Sequence, residues 1–164
     1  MSDKKLNTLD IEIAVMEFFG VRQNLIVPNV YWGMGFRHEL DLLVLTKAGY
    51  GIEVEIKISR SDMVADTKKK HRHYSQKIKR LYFAIPENLL DSCIDLIPDE
   101  AGILIIQPNK YGDMFAQKYR EAKIKSHYKF GDSERDKLLH LAAMRIITMK
   151  RQLRDTKESY DDLL

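Results

Sequence analysis

The 164-residue chain is 45% hydrophobic and 31% charged, which is the composition of one globular domain and argues against a disordered chain or two full domains. No apolar run approaches the roughly 18 residues of a membrane span, and the opening MSDKKLNTLD lacks the apolar stretch of a secretory signal, so one cytoplasmic domain over residues 1–164 with no membrane partner is expected. The net charge of +3 is too mild by itself to demand a polyanionic partner.

In chain order, TLDIEIAVMEFF reads as a helix with Leu9, Ile13 and Met16 on one stripe, Asn7 or Thr8 as N-cap and Gly20 as its stop. LIVPNVYW reads as a strand whose Pro28 cannot donate to a ladder, which suggests an edge position or a bulge. LDLLVL and GIEVEIKIS follow as two further strands, and Ser59 or Ser61 caps a helix running to about Tyr74. RLYFAIP is a short buried strand, PENLLDSCIDLIP a helix ended by Pro98, AGILIIQP another apolar strand. The lone Cys93, without partners at zinc spacing, reads as a small buried apolar residue. A last helix from Ser133 to about Arg154 presents Leu138, Leu141, Ala142, Ile146, Met149 and Leu153 on a broad apolar face. Three closely connected strands followed by strands separated by helices imply an α/β (α+β) domain, with an antiparallel meander inside a mixed sheet flanked by helices.

The third strand alternates strictly. Ile52, Val54, Ile56 and Ile58 interleave with Glu53, Glu55 and Lys57, so two carboxylates and an amine share one face. Whether Asp41 joins them depends on the turn. A loop of Lys47, Ala48 and Gly49 places Thr46 opposite Tyr50 and Asp41 opposite Glu55, with Gly49 at the left-handed position that such hairpins use. A two-residue Ala48-Gly49 loop pairs Asp41 with Ile56 instead and turns it to the other face. The three-residue loop is the expected one. In that register Asp41, Glu55 and Lys57 cluster, because side chains two apart on a strand stay on one face roughly 7 Å apart, and Glu39 and Glu53 flank them. Converging carboxylates are hard oxygen ligands for Mg²⁺ or Mn²⁺, with the Ile56 carbonyl as a further donor and Lys57 placed to orient water or neutralise charge on a phosphate. The bland account is the wet face of an amphipathic strand. Against it, LDLLVL is apolar enough to be buried on both faces, where Asp41 needs a partner.

An Asp on one strand and Glu-x-Lys on the next, after a helix bearing Glu and before another helix, resembles the core of the PD-(D/E)XK nuclease superfamily. EVEIKISRSDMVADTKKK, RLYFAIP and LIPDEAGILII resemble successive segments of the MmcB-like DNA repair family within it. The resemblance implies a restriction-endonuclease-like core and a metal-dependent DNA nuclease with catalytic roles on Asp41, Glu55 and Lys57. It places the first-helix carboxylate on Glu12 or Glu17, Glu12 being preferred. Leu40 stands where the superfamily's motif often has Pro, and Lys69 where the family tends to have an aromatic residue.

Between Lys57 and Tyr82 lie nine Lys or Arg against Asp62 and Asp66. Alone, such a run is an ordinary solvated face. With the resemblance, Lys68, Lys69, Lys70, Arg72 and His73 become candidate DNA contacts, Asp62 and Asp66 structural caps or ion-pair partners, and Tyr31 and Trp32 core residues before base-stacking ones. His71 and His73 point apart on a helix and share no metal. Two other readings stand beside the nuclease: a DNA-binding module of the same fold that does not cut, and an interaction protein that forms a homodimer through its last helix.

Overall fold

A computed structural model describes residues 6–69 and 73–161, with side chains through 157. Helix α1 (Thr8–Phe19) is capped by a reciprocal pair: the Asn7 side chain accepts the Asp10 N–H, and the Asp10 carboxylate accepts the Asn7 N–H. The rest runs β1 (Leu25–Val30), β2 (Leu40–Leu45), β3 (Gly51–Ile56), α2 (Arg60–Thr67), β4 (Ile78–Pro86), α3 (Leu90–Cys93), β5 (Gly102–Pro108), β6 (Met114–Arg120) and α4 (Asp132–Asp161). The six strands form one sheet in sequence order. β1, β2 and β3 pair antiparallel, β3, β4 and β5 parallel, and β6 returns antiparallel on β5. This is the expected mixed sheet, with the Pro28 strand at its edge.

Leu42 pairs with Val54 and Leu45 with Gly51, which is the register that sets Asp41 opposite Glu55. The turn is the three-residue one: the Thr46 N–H donates to the Tyr50 carbonyl at 2.9 Å and the Gly49 N–H to the Thr46 carbonyl at 2.8 Å. Gly49 has φ +86°, left-handed backbone that a Cβ would strain.

One face of the sheet packs Leu42, Val44, Val54, Ile56, Ala84, Leu104 and Ile106 under α1. The other face carries two apolar clusters. One, at the β1–β2 end, is closed by Met34, Phe36, Phe130 and Leu138; the second, over β4 and β5, is closed by Met63 of α2 with Cys93 and Ile97. Glu53, paired with Leu43 on one side and Leu81 on the other, lies in the seam between them.

Several elements depart from the sequence reading. α1 buries Ile11, Ala14 and Val15, while Leu9 and Ile13 are exposed; the helix is apolar nearly all round, so the sheet selects among equivalent i, i+3, i+4 stripes. The helix after Ser59 ends at Thr67, about two turns short of Tyr74. Residues 87–96 form a 3₁₀ turn, the short α3 and a second 3₁₀ turn where one helix is expected. β6 is an additional strand. Among the described side chains of α4 only Leu138 is buried, with Leu141 and Ala142 partly covered, and Ile146, Met149 and Leu153 are exposed. Tyr31 and Trp32 are exposed rather than core. Cys93 is buried. Among the described residues no helix is long and apolar enough to cross a membrane.

Candidate functional site

The β2–β3 ladder opens at its far end. Beyond the Leu42–Val54 pair, the Ile56 N–H donates to Asp41 Oδ2 at 2.8 Å, so a side chain takes over where a strand carbonyl would continue. Asp41 stays half-exposed. Glu55 beside it is almost wholly buried, 1% exposed, and Lys57 is 4% exposed. Lys57 Nζ lies 3.0 Å from Glu55 Oε2, 3.1 Å from Asp66 Oδ1 and 4.0 Å from Asp41 Oδ2. The three residues expected to act together are therefore in mutual reach.

Electrostatics follow from burial and company. Burial, reinforced by the Asp41 charge, pushes the Glu55 carboxyl up to about 7. Burial works against charge on Lys57, yet the carboxylates of Glu55, Asp41 and Asp66 raise its pKa above the usual lysine value. Glu12 on α1 is half-buried, and burial together with Asp41 raises its carboxyl; Glu17 is exposed. Of the two helix carboxylates, Glu12 is thus the one that feels the Asp41 charge.

A second set of groups fills the seam beside Glu55. Glu53 Oε1 lies 2.7 Å from His38 Nε2 and 3.1 Å from His73 Nδ1, and His73 Nδ1 lies 3.6 Å from Glu55 Oε1. His73 Nε2 meets Asp66 Oδ2 at 2.6 Å, and Lys69 reaches Asp66 Oδ1 at 2.9 Å. Burial alone would raise Glu53, but its bonds to His38 and His73 hold it below its ordinary value. Burial opposes charge on His73 as well, yet Asp66 and Glu53 lift it to about 9. Asp66 is held below the usual carboxylate range against burial, through His73 and Lys69. One donor atom from each of His38, Glu53, Glu55 and His73 falls within 4.8 Å of every other, a group that could hold a metal ion.

The expected DNA contacts are placed unevenly. Lys68 is exposed, and Lys69 is exposed but engaged with Asp66. His73 is 3% exposed, an interior residue because α2 has ended and the chain has turned inward with a positive φ of 52° at this position. Lys70, His71 and Arg72 lie outside the described residues. His38 carries no sequence motif that marks it as a site residue. Its signal is a period-two series, Met34, Phe36, His38 and Leu40 buried with their neighbours exposed, running through a segment that is not a strand.

The profile of the family described as DNA repair protein MmcB-like matches residues 2–156. The chain belongs to the MmcB-like family. No curated protein is significantly similar to it. Among solved structures, an MmcB-like chain of this shape is matched by a protein of unknown function from Silicibacter pomeroyi, at TM-score 0.60 and 22% identity over 90% of each chain; that likeness concerns the fold. MmcB-like membership associates the chain with DNA repair, and the sheet and its flanking helices are consistent with a restriction-endonuclease-like core.

Proposed function

We propose that this MmcB-like protein is a metal-dependent DNA nuclease of repair, hydrolysing phosphodiester bonds at the open end of the β2–β3 ladder. The observation that carries the reading is the placement of Asp41 opposite Glu55 with the Lys57 ammonium within 4.0 Å of both. The donor set fits a hard divalent ion, Mg²⁺ or Mn²⁺. Burial, with the Asp41 charge beside it, raises the Glu55 carboxyl to about 7, and the buried Glu55 Oε1 has no hydrogen-bond partner among the described residues. Asp41, Glu55 and the Ile56 carbonyl would hold the ion, which supplies Lewis-acid stabilisation of phosphate charge and a bound water of lowered pKa.

The chain's own groups do the rest. Asp41, half-exposed, faces the substrate side and is oriented by the Ile56 N–H. Lys57 stays charged and offers a fixed cation to negative charge growing on a non-bridging oxygen or on the attacking water. Glu12, raised by burial and by Asp41, holds a proton more readily than a surface carboxyl and lies on the α1 side as a third acceptor. Lys68 and Lys69, with Lys70 and Arg72, supply contacts to the phosphate backbone that position DNA without reading its sequence.

The test is incubation of labelled single-stranded, duplex and flapped DNA with the protein in Mg²⁺, Mn²⁺ or EDTA, beside Lys57→Ala. Metal-dependent cutting that vanishes in the folded variant is the expected result. A second reading, a DNA-binding module that does not cut, draws on one observation: Lys57 and Glu55 are already paired with each other and nearly sealed from solvent. Salt-sensitive binding equal in both proteins, with no cleavage on any substrate, would decide for it.

A further inference from the structure

We propose that His38, Glu53, Glu55 and His73 form a second, closed centre for a transition ion of the zinc class, which shares Glu55 with the Asp41 site and pins two connecting segments to β3. This does not rest on the nuclease reading. Three of its four donors, His38, Glu53 and His73, lie in the seam behind Asp41 and take no part in that reading, and a protein that never cuts DNA would still load it.

The geometry is close to what such an ion needs. Bonds of about 2.0–2.1 Å place tetrahedral donors roughly 3.3 Å apart; three of the separations here are 2.7 Å for His38 to Glu53, 3.1 Å for His73 to Glu53 and 3.6 Å for His73 to Glu55, and every pair lies within 4.8 Å. All four residues are at least nine-tenths buried: His38 is 9% exposed, His73 3%, Glu55 1% and Glu53 0%. Metal-free, the seam leaves polar atoms poorly served. Glu53 Oε2 and Glu55 Oε1 are buried with no hydrogen-bond partner among the described residues, an arrangement that carries a desolvation penalty nothing offsets. An ion between the carboxylates and imidazoles would add a cation beside these unserved oxygens and replace the His38–Glu53 and His73–Glu53 hydrogen bonds.

The surroundings point the same way. Metal-binding histidines usually give their other ring N–H to a carboxylate, which fixes the tautomer and aims the free nitrogen. His73 does this: Nε2 meets Asp66 Oδ2 at 2.6 Å, leaving Nδ1 toward Glu53 and Glu55, and Asp66 is itself anchored by Lys57 and Lys69. Two imidazoles with two carboxylates select borderline ions such as Zn²⁺ or Co²⁺ over Mg²⁺, which prefers all-oxygen shells and retains water. Four protein donors and no solvent-facing position suit a structural ion, whereas the half-exposed Asp41 position suits a hydrolytic one. His38 comes from the segment before β2 and His73 from the segment after α2, so a bound ion would tie both to the central strand.

The test uses the full chain, stripped with EDTA, dialysed and titrated with Co²⁺. One equivalent should produce the intense visible absorption of a four-coordinate site, withstand excess Mg²⁺ and be displaced by Zn²⁺. His38→Ala and His73→Ala should abolish it, Asp66→Asn should weaken it ten- to a hundred-fold, and Asp41→Asn should leave it in place. Since a histidine variant can fail to fold, ring ¹H–¹⁵N spectra of the unmutated protein give the second readout: on Zn²⁺ addition, two of its five histidines, His38 and His73, should shift as ligands. No stoichiometric four-coordinate spectrum from the folded protein overturns the proposal. So does absorption that persists in folded His38→Ala or His73→Ala, or Zn²⁺ shifts confined to other histidines.

Discussion

Glu55→Gln should stabilise the metal-free protein at alkaline pH. The Glu55 carboxyl is raised from 4.5 to about 7 by burial and the Asp41 charge, so between those values the native state holds a proton that the unfolded chain releases. Stability from this group is therefore intact below about pH 4.5 and declines as pH rises to about 7. At about 1.36 kcal/mol per unit the full loss is on the order of 3 kcal/mol. Glutamine has the shape of the protonated acid and never ionises, so it escapes the loss; Lys57 keeps its pairing with Asp66 at 3.1 Å. For a domain of this size the gain corresponds to roughly 6–12 °C in Tm. Thermal melts of both proteins in EDTA at pH 4.5 and pH 8 would measure it. The gain should be near zero at the lower pH and full at the higher, accompanied by loss of metal-dependent cleavage. A variant no more stable at pH 8 than the parent, or one equally stabilised at both, would refute the burial-and-repulsion account of Glu55.

Three further outcomes are expected. His73, raised to about 9 by Asp66 and Glu53 against burial, contributes stability that is complete below about pH 6.5 and lost as pH climbs through about 9; in EDTA, melts of His73→Gln should converge on the parent above that pH. Gly49→Ala should cost about 1–2 kcal/mol in urea denaturation. The reason is φ +86°, since the nearest atom to an added Cβ, the Phe130 carbonyl oxygen at 3.6 Å, is at ordinary contact distance; a neutral substitution would mean that the turn does not need its left-handed residue. Phe83→Ala removes a ring that is 1% exposed in the cluster it shares with Met63 of α2 and Ile103, with an expected cost of about 3–5 kcal/mol, again read from urea midpoints.

The register of Asp41 on Glu55 is legible because local signals agree. The alternation of β3 fixes its faces, Gly49 selects the turn, and Pro28 marks the edge strand. What stayed hidden depends on contacts distant in sequence. TLDIEIAVMEFF offers two helical stripes of similar quality, and the sheet chooses Ile11, Ala14 and Val15. MFAQKYR alternates, but its charges and exposed positions disguise a strand that pairs with only one neighbour. Glu53 reads as the wet side of an amphipathic strand until His38 and His73 arrive, one 15 residues before it and the other 20 after it. His73 turns inward because α2 stops at Thr67, and no cap signal in TKKKHRHY announces that.

The open end of the β2–β3 ladder joins fold and function in one residue, and it can be dissected there. Asp41 accepts the Ile56 N–H at 2.8 Å, so the carboxylate terminates a hydrogen-bond ladder and also supplies the charge that raises Glu55. Asp41→Ala removes both, leaving a backbone donor on a nearly buried strand residue without its acceptor, which should cost about 1–3 kcal/mol. Asp41→Asn keeps an oxygen at the same place and removes only the charge. Its stability should therefore stay near the parent's below pH 4.5 and exceed it slightly at pH 8, because Glu55 loses its second source of elevation. Carbon-13 NMR titration of the Glu55 carboxyl should report a midpoint below that of the parent. Cleavage in Mg²⁺ should fall in both variants alike. If Asp41→Asn unfolds as readily as Asp41→Ala, Asp41 is held by its charge and not by the Ile56 N–H. If the Glu55 midpoint does not move, the two carboxylates are electrostatically separate, and a divalent ion has no shared position between them.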